Sequence, residues 1–146
     1  MELSLKSEYA ILALLELTKH YGQEHPLQIK QIAQSQNIPD RYLEQLLIAL
    51  KKHGLVKSQR GAKGGYILAK EPWQINMLDI IRAVEGNDPF VPRKPQNQPV
   101  SSYLAVVLDM WQSAQTAAES VLKECTLKHL SELEKQKRDQ SVMYYI

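Results

Sequence analysis

Basic side chains gather in one short stretch of this chain, although the chain as a whole is close to neutral. The formal net charge of the 146 residues is +2, yet residues 41–63 contain six Lys or Arg side chains and a single acid, Glu44. A dense local positive charge attracts polyanions, because basic side chains that meet phosphates release counterions. This stretch therefore favours nucleic acid as a partner. Its basic residues are Arg41, Lys51, Lys52, Lys57, Arg60 and Lys63.

Groups that could catalyse a reaction or hold a metal are few and scattered. The four histidines show no metal-ligand spacing. Cys125 is the only cysteine, so neither an internal disulfide nor a cysteine-cluster metal site can form, and we interpret it as a small buried residue. The glycine-rich turn at residues 61–65 lacks the Lys-Ser/Thr pair that opens the helix of a nucleotide-binding P-loop. We therefore predict a protein that is not an enzyme and that has no cofactor.

The basic stretch lies on elements whose order is typical of a winged helix-turn-helix. Residues 37–39 (Asn-Ile-Pro) predict a tight turn between two short helices, and the acid Asp40 suits the start of the second. Gly54 can take the left-handed conformation that ends this second helix. A two-stranded hairpin, the wing, follows it, so the fold is predicted to be mainly α. The predicted helices span residues 4–20, 28–36, 40–52, 77–85 and 101–125, with a short final helix after Thr126, and the strands span residues 55–58 and 65–69.

The second helix of the motif, residues 40–52, is predicted to read the base sequence. A major groove is wide enough to admit one helix, and side chains near the helix N-terminus meet base edges. Arg41 can contact a phosphate or a guanine, and Tyr42 can donate a hydrogen bond to a phosphate. Gln45 can read adenine, and Glu44 can accept a hydrogen bond from the amino group of cytosine. The positions predicted to be exposed are Asp40, Arg41, Tyr42, Glu44, Gln45 and Ala49.

The turn of the hairpin, residues 59–64, offers a second contact. Arg60 can lie on the DNA backbone or enter a minor groove, and Lys63 adds positive charge. Gly61 lets the main chain approach closely because it has no side chain. A tight turn whose charges only keep the protein soluble is the alternative interpretation, but the neighbouring helix-turn-helix favours DNA.

An apolar seam runs along the long helix predicted from Ser101 to about Cys125. Apolar or aromatic residues recur at alternating intervals of four and three, which is the spacing of a coiled-coil seam, and a second apolar stripe widens this face. So wide an apolar face must be covered, either by its own domain or by another chain. We expect a homodimer, which would read an inverted repeat in double-stranded DNA. The residues assigned to dimerisation are Tyr103, Val107, Met110, Trp111, Ala114 and Val121.

Four prolines between residues 87 and 100 separate this helix from the winged motif, and proline at that density does not form regular structure. We expect a DNA-binding domain at residues 1–86, a proline-rich linker or loop at 87–100, and the dimerisation helix and final helix at 101–146. No apolar run is long enough to cross a bilayer, and no signal peptide is recognisable. A cytoplasmic location without membrane contact is therefore expected.

These motifs resemble the Rrf2 family of bacterial transcriptional regulators, closely over residues 1–86 and by layout beyond. The resemblance implies a homodimer built on the long helix, with the recognition helix and the wing on DNA. It also implies that Tyr42, Glu44 and Arg60 occupy positions that contact DNA or discriminate its sequence. The matching motifs are Leu3-Ser4-x-Lys6-x-x-Tyr9-Ala10, Ile32-Ala33, Tyr42-Leu43-Glu44-Gln45-Leu46, Leu50-x-x-x-Gly54-Leu55-Val56-x-Ser58-x-Arg60-Gly61-x-x-Gly64-Gly65-Tyr66 and Ile80-Ile81-x-Ala83-Val84-Glu85-Gly86.

One departure from the family concerns iron. Many relatives carry three cysteines after the segment matching Val84-Glu85-Gly86 and bind an iron–sulfur cluster with them, whereas residues 87–110 here contain no cysteine. Cluster binding normally depends on thiolates. We therefore expect the branch without a cluster, which answers to an effector protein or small molecule. Glu8 stands in the region where some relatives supply an acidic extra ligand, and without thiolates we interpret it as structural.

The resulting hypothesis is a sequence-specific DNA-binding regulator of transcription, with repression favoured over activation, that acts as a homodimer without a cysteine-ligated cluster. One alternative is an interaction subunit that uses the winged fold only to dock a metabolic enzyme; the basic hairpin argues against it. Another is an iron–sulfur sensor with unusual ligands.

Overall fold

The computed structural model describes residues 2–86, 89–90, 97 and 99–144. It is mainly helical with one two-stranded antiparallel sheet, as the sequence predicts. The proline-rich segment expected to act as a linker lies largely outside those ranges. None of the helices within them combines the length and apolar content that crossing a bilayer requires. The helices are α1 (Leu5–Lys19), α2 (Ile29–Gln36), α3 (Asp40–Lys52), α4 (Met77–Val84), α5 (Ser102–Glu124) and α6 (Leu127–Tyr144), and the strands are β1 (Val56–Gln59) and β2 (Gly65–Leu68).

Helix α1 lies at the centre of the core. Ser4 caps it by accepting a hydrogen bond from the backbone N–H of Ser7 at 3.1 Å. Apolar residues occur on several sides of α1, and α2, α3, α4, α6 and β2 all pack against it. Ala10, Ala13 and Leu14 are completely buried as a result. The two alanines leave room for neighbouring backbones to come close, because the distance between packed helices depends on the side chains at the contact.

A residue in the left-handed conformation makes the turn between α2 and α3. Asn37 has φ +54°, a region that asparagine tolerates better than most residues. The next residue, Ile38, is buried, and its N–H donates to the carbonyl of Ala33 at 2.9 Å. Pro39 then takes the N-cap position of α3. The leucines that α3 buries beneath this turn are Leu43, Leu46, Leu47 and Leu50.

A third segment, which the sequence did not predict, anchors the wing. β1 and β2 pair in antiparallel fashion, with Gln59 opposite Gly65. Leu27, which precedes α2, exchanges two backbone hydrogen bonds with Tyr66, at N···O distances of 3.0 and 2.7 Å. Gly65 permits this approach, since a Cβ there would lie 2.3 Å from the carbonyl oxygen of Leu27. The hairpin is therefore joined directly to the chain that enters the helix-turn-helix.

The final helix is longer than predicted, and its start belongs to the core. The sequence indicated a short helix after Thr126, whereas α6 has 18 residues and ends at Tyr144. Its long polar side chains favour helix without forming an apolar stripe, so periodicity did not reveal its length. Thr126 caps it as predicted, accepting from the backbone N–H of His129 at 3.1 Å. Leu127 is completely buried, and its N–H donates to the carbonyl of Ile75 at 2.9 Å.

Candidate nucleic-acid interface

Helix α3 turns one polar face toward solvent. Arg41, Glu44 and Gln45 are exposed, and the helical period places them on one side of α3, away from the buried leucines. Within the described part of the chain, Arg41 forms no salt bridge. Its charge and its five N–H donors are therefore free for a ligand. Acidic Asp40 sits in the first turn of α3, where it complements the helix dipole.

Two positions near the middle of α3 differ from the prediction. Ala49 was expected to be exposed, but it is half-buried and packs against the core. Ile48, which the sequence interpretation passed over, is 53% exposed. Its spacing of four from Glu44 places it on the polar face, and that spacing could have identified it. An exposed isoleucine on this face can contact the methyl group of thymine, which gives the surface an apolar element beside its hydrogen-bonding groups.

Tyr42 bridges the polar face and the core. Its ring meets that of Tyr9 on α1 edge to face, with centroids 5.6 Å apart and planes at 78°. The side chain is still 37% exposed. An edge-to-face pair favours one orientation of the ring and adds to the stabilisation that comes from burying its surface. The start of α3 is thereby held against α1.

The wing carries its predicted residues at an exposed tip. Arg60, Gly61 and Lys63 are all exposed, and neither cation forms a salt bridge within the described residues. Gly61 has φ +108°, which only glycine adopts readily, so the tight tip depends on it. Within the wing, Lys51 Nζ donates to Ser58 Oγ at 2.7 Å and joins α3 to β1. This lysine is thus partly committed to holding the wing.

A buried carboxylate that the sequence interpretation missed ties α1 to the end of α2. Glu16 Oε2 accepts a hydrogen bond from Gln36 Nε2 at 2.8 Å, and Glu16 Oε1 lies 3.4 Å from His20 Nε2. Burial raises the pKa of Glu16, but the hydrogen bonds and nearby positive groups outweigh it and leave that pKa below its ordinary value. An acid within the otherwise apolar run of residues 9–17 was the available signal. The contact fixes the angle between the core helix and the first helix of the motif.

The seam predicted for dimerisation is uncovered in the single chain. None of the residues of α5 is buried, and Tyr103 is 88% exposed. Val107, Met110, Trp111 and Val121 are each more than 60% exposed, and Ala114 is exposed as well. Toward its C-terminal half, α5 packs on α4, where Arg82 and Glu119 form a salt bridge of 2.7 Å.

The residues present do not fit an iron centre held by cysteines. Cys125 is the only thiol in the sequence; it lies between α5 and α6, half-buried, and burial raises its pKa and so disfavours the thiolate. Among the described residues, no three His, Cys, Asp or Glu side chains come together in a way that could hold a metal ion. Glu8 is exposed in the first turn of α1, where an acid stabilises the helix dipole.

Known proteins of similar sequence and structure are transcriptional regulators. The family model for Rrf2, described as an iron-dependent transcriptional regulator, matches residues 3–133. The HTH-type transcriptional regulator CymR of Bacillus subtilis is 37% identical over 146 residues, which cover 100% of both chains. The solved structure of CymR (YrzC), the global cysteine regulator of B. subtilis, is similar with a TM-score of 0.78 and 38% identity, over 91% of this chain and 98% of that one. T. potens IscR has a TM-score of 0.76 and 38% identity, over 96% of this chain and 91% of that one.

Proposed function

The chain belongs to the Rrf2 family of transcriptional regulators, and on that premise we propose that it represses transcription by binding an inverted-repeat operator as a homodimer. The observation that carries the proposal is the exposed polar face of α3, together with a basic wing tip whose cations have no ion-pair partner among the described residues. Positive groups left free at the surface can neutralise phosphates. The proposal assigns no catalytic residue and no cluster ligand.

Each residue of the interface has a distinct role in this proposal. Arg41 and Gln45 read base edges in the major groove, and Glu44 selects cytosine by accepting from its amino group. Tyr42 positions α3 through a phosphate, which carries no sequence information. The wing-tip residues Arg60, Gly61 and Lys63 lie along the backbone or in the adjacent minor groove.

The proposed dimer is formed through α5. A single chain leaves large apolar side chains of this helix in water, and contiguous exposed apolar surface of this kind marks an association site. The alternating spacing of the seam suits pairing with the same helix of a second copy. In the proposed dimer, residues 1–86 of each chain contact DNA and residues 101–146 hold the two chains together. The two recognition helices can then reach two half-sites.

Selection of bound fragments from bacterial genomic DNA, followed by titration of the selected duplex, tests the function. We expect at least hundredfold tighter binding to the selected duplex than to a scrambled one, in line with the preference of specific regulators. The difference should persist with protein prepared without iron. Equal affinity for both duplexes would contradict the proposal and would favour the docking subunit, which needs no sequence preference. Running the selection with and without cell extract shows whether a soluble effector changes the outcome.

A further inference from the structure

A cavity of about 400 Å³ opens where the N-terminal end of α1, one side of α4 and the C-terminal end of α5 meet. Its volume lies within the range of small-molecule sites in proteins. Apolar side chains provide most of its wall, and they come from elements far apart in sequence, so the cavity exists only in the folded chain. The apolar wall consists of Leu3, Met77, Ile81, Pro89, Phe90 and Leu122.

One carboxylate lies at the polar end of this cavity. Glu85 follows α4, and its Oε1 accepts hydrogen bonds from the hydroxyls of Ser4 and Ser7, the latter at 2.7 Å. Ser7 is buried and Ser4 is the cap of α1, so both donors are held in place. These two hydrogen bonds hold the pKa of Glu85 below its ordinary value. The carboxylate is therefore ionised near neutral pH, and both bonds use the same oxygen, which leaves Oε2 available.

Among the described residues that line the cavity, the charge has one sign. Glu2 and Glu85 both contribute to it, and the lining residues that the structure describes include no Lys, Arg or His. Lys6 lies close enough to affect Glu85 electrostatically, but it is exposed and does not line the cavity. A ligand that is apolar at one end and positively charged at the other would match this wall. A carboxylate or phosphate ligand would meet repulsion from both acids.

We propose that this cavity binds a small organic amine, with its hydrocarbon body against Met77, Ile81 and Leu122 and its ammonium group on Glu85 Oε2. The ligand would touch α4 and α5 together. This assignment concerns a binding site separate from the proposed DNA interface, and it does not depend on DNA binding.

Isothermal titration calorimetry of the full chain without DNA tests the site with three probes of similar shape and different charge: the 2-phenylethylammonium ion, neutral 2-phenylethanol and the 3-phenylpropanoate anion. A fourth compound, hexylammonium, serves as a second, aliphatic amine. We expect saturable binding of at least one amine, at least tenfold weaker binding of the alcohol, and no detectable binding of the anion. The proposal is overturned if the anion binds as well as the amines, or if neither amine binds at millimolar concentration.

Two variants and one control locate the site. Glu85→Gln should weaken amine binding at least tenfold and leave the alcohol unaffected, because only the charge is removed. Leu122→Trp should abolish binding of both the amine and the alcohol by filling the cavity. Because it leaves the hydrogen bonds from Ser4 and Ser7 to Glu85 intact, it tests the site even if Glu85→Gln disturbs folding. The control Glu134→Gln removes an exposed carboxylate of α6 and should bind as wild type does. Amine binding that survives unchanged in a folded Leu122→Trp chain would place the ligand elsewhere and refute the assignment.

Discussion

Tyr9 and Tyr42 meet edge to face at 5.6 Å, and this contact joins the central helix α1 to the first turn of the recognition helix α3. The same Tyr42 is 37% exposed, so its ring packs on the core while part of the side chain is open to a ligand. Two substitutions at one position can therefore separate a structural role from a role in DNA binding.

Tyr42→Phe keeps the ring pair and removes only the hydroxyl. We expect its free energy of unfolding to stay within about 0.5 kcal/mol of wild type, while its affinity for the selected operator falls by about ten- to hundredfold, the worth of one hydrogen bond to a charged group. Tyr42→Ala should lose both, with an additional loss of stability of about 0.5–1.5 kcal/mol from the aromatic pair. Urea denaturation and fluorescence anisotropy measure the two quantities. Unchanged affinity of Tyr42→Phe would remove this residue from the interface.

Arg60→Ala should weaken DNA binding and also change its salt dependence. If Arg60 neutralises one phosphate, its loss lowers the slope of log affinity against log salt concentration by about one. The measurement is a titration of the operator at several salt concentrations. Arg138→Ala on α6 is the control, because it removes an exposed arginine that pairs with Glu134 far along the chain from the wing. Equal slopes for wild type and Arg60→Ala would mean that the arginine does not meet a phosphate.

Gly65→Ala should destabilise the fold through the wing. The new Cβ would lie 2.3 Å from a backbone oxygen of Leu27, which cannot rotate away as a side chain could. Forcing the two segments apart breaks the bridge to Tyr66, and we expect a loss of about 1–3 kcal/mol in thermal or chemical unfolding. Gly86→Ala is the control, since a Cβ there meets nothing within 4 Å. If Gly65→Ala and Gly86→Ala are both as stable as wild type, the close approach at Leu27 is absent in solution.

Acid should destabilise the folded chain in part through Glu85. Its pKa is lower in the folded state than its ordinary value of 4.5, so its contribution is present above that pH and is lost as the pH falls through the folded value. Ser7→Ala removes one of the two hydrogen bonds and should reduce stability by about 1 kcal/mol at pH 7. This difference from wild type should shrink as the pH drops below 4.5. Ser113→Ala on exposed α5 is the control. A difference in stability between Ser7→Ala and wild type that does not change with pH would show that Ser7 acts only through packing.

Val107→Glu should prevent association of two chains. In the proposed dimer it buries a charge within the seam, which is unfavourable without a partner. We expect sedimentation velocity to give dimers for wild type and single chains for Val107→Glu at micromolar concentration. The affinity for an inverted repeat should fall with it. Gln112→Glu, which lies among polar neighbours of α5, should remain dimeric. A dimeric Val107→Glu would move the interface to another surface.

The winged helix-turn-helix could be predicted because the residues that begin and end its helices and turns act through local contacts. Asn37 and Gly54 take the positive φ values that their residue types favour, and Ser4 and Thr126 cap α1 and α6. Apart from the final helix, the predicted helix and strand boundaries accordingly agree with the structure to within one or two residues.

What escaped prediction depends on contacts between distant segments. Nothing local in the sequence shows that Leu27 pairs with Tyr66, because a single backbone bridge leaves no periodic pattern. Ala49 is small enough for either environment, and its half-buried state follows from neighbours that periodicity alone does not place. The cavity beside Glu85 is likewise formed by three elements that meet only after folding. The DNA-binding and dimerisation residues stay predictions, since exposure allows their roles without demonstrating them.

The backbone bridge between Leu27 and Tyr66 affects how much entropy the hairpin loses when it binds a duplex. A hairpin that swings freely must be immobilised on binding, and that loss of freedom weakens association. Here the hairpin is held before any duplex arrives, so in the proposed complex little backbone entropy is lost when Arg60 makes contact. The span between the helix that enters one groove and the arginine that reaches the next is then a fixed length. Two duplexes with the same bases in contact but different curvature or twist would be distinguished by shape alone.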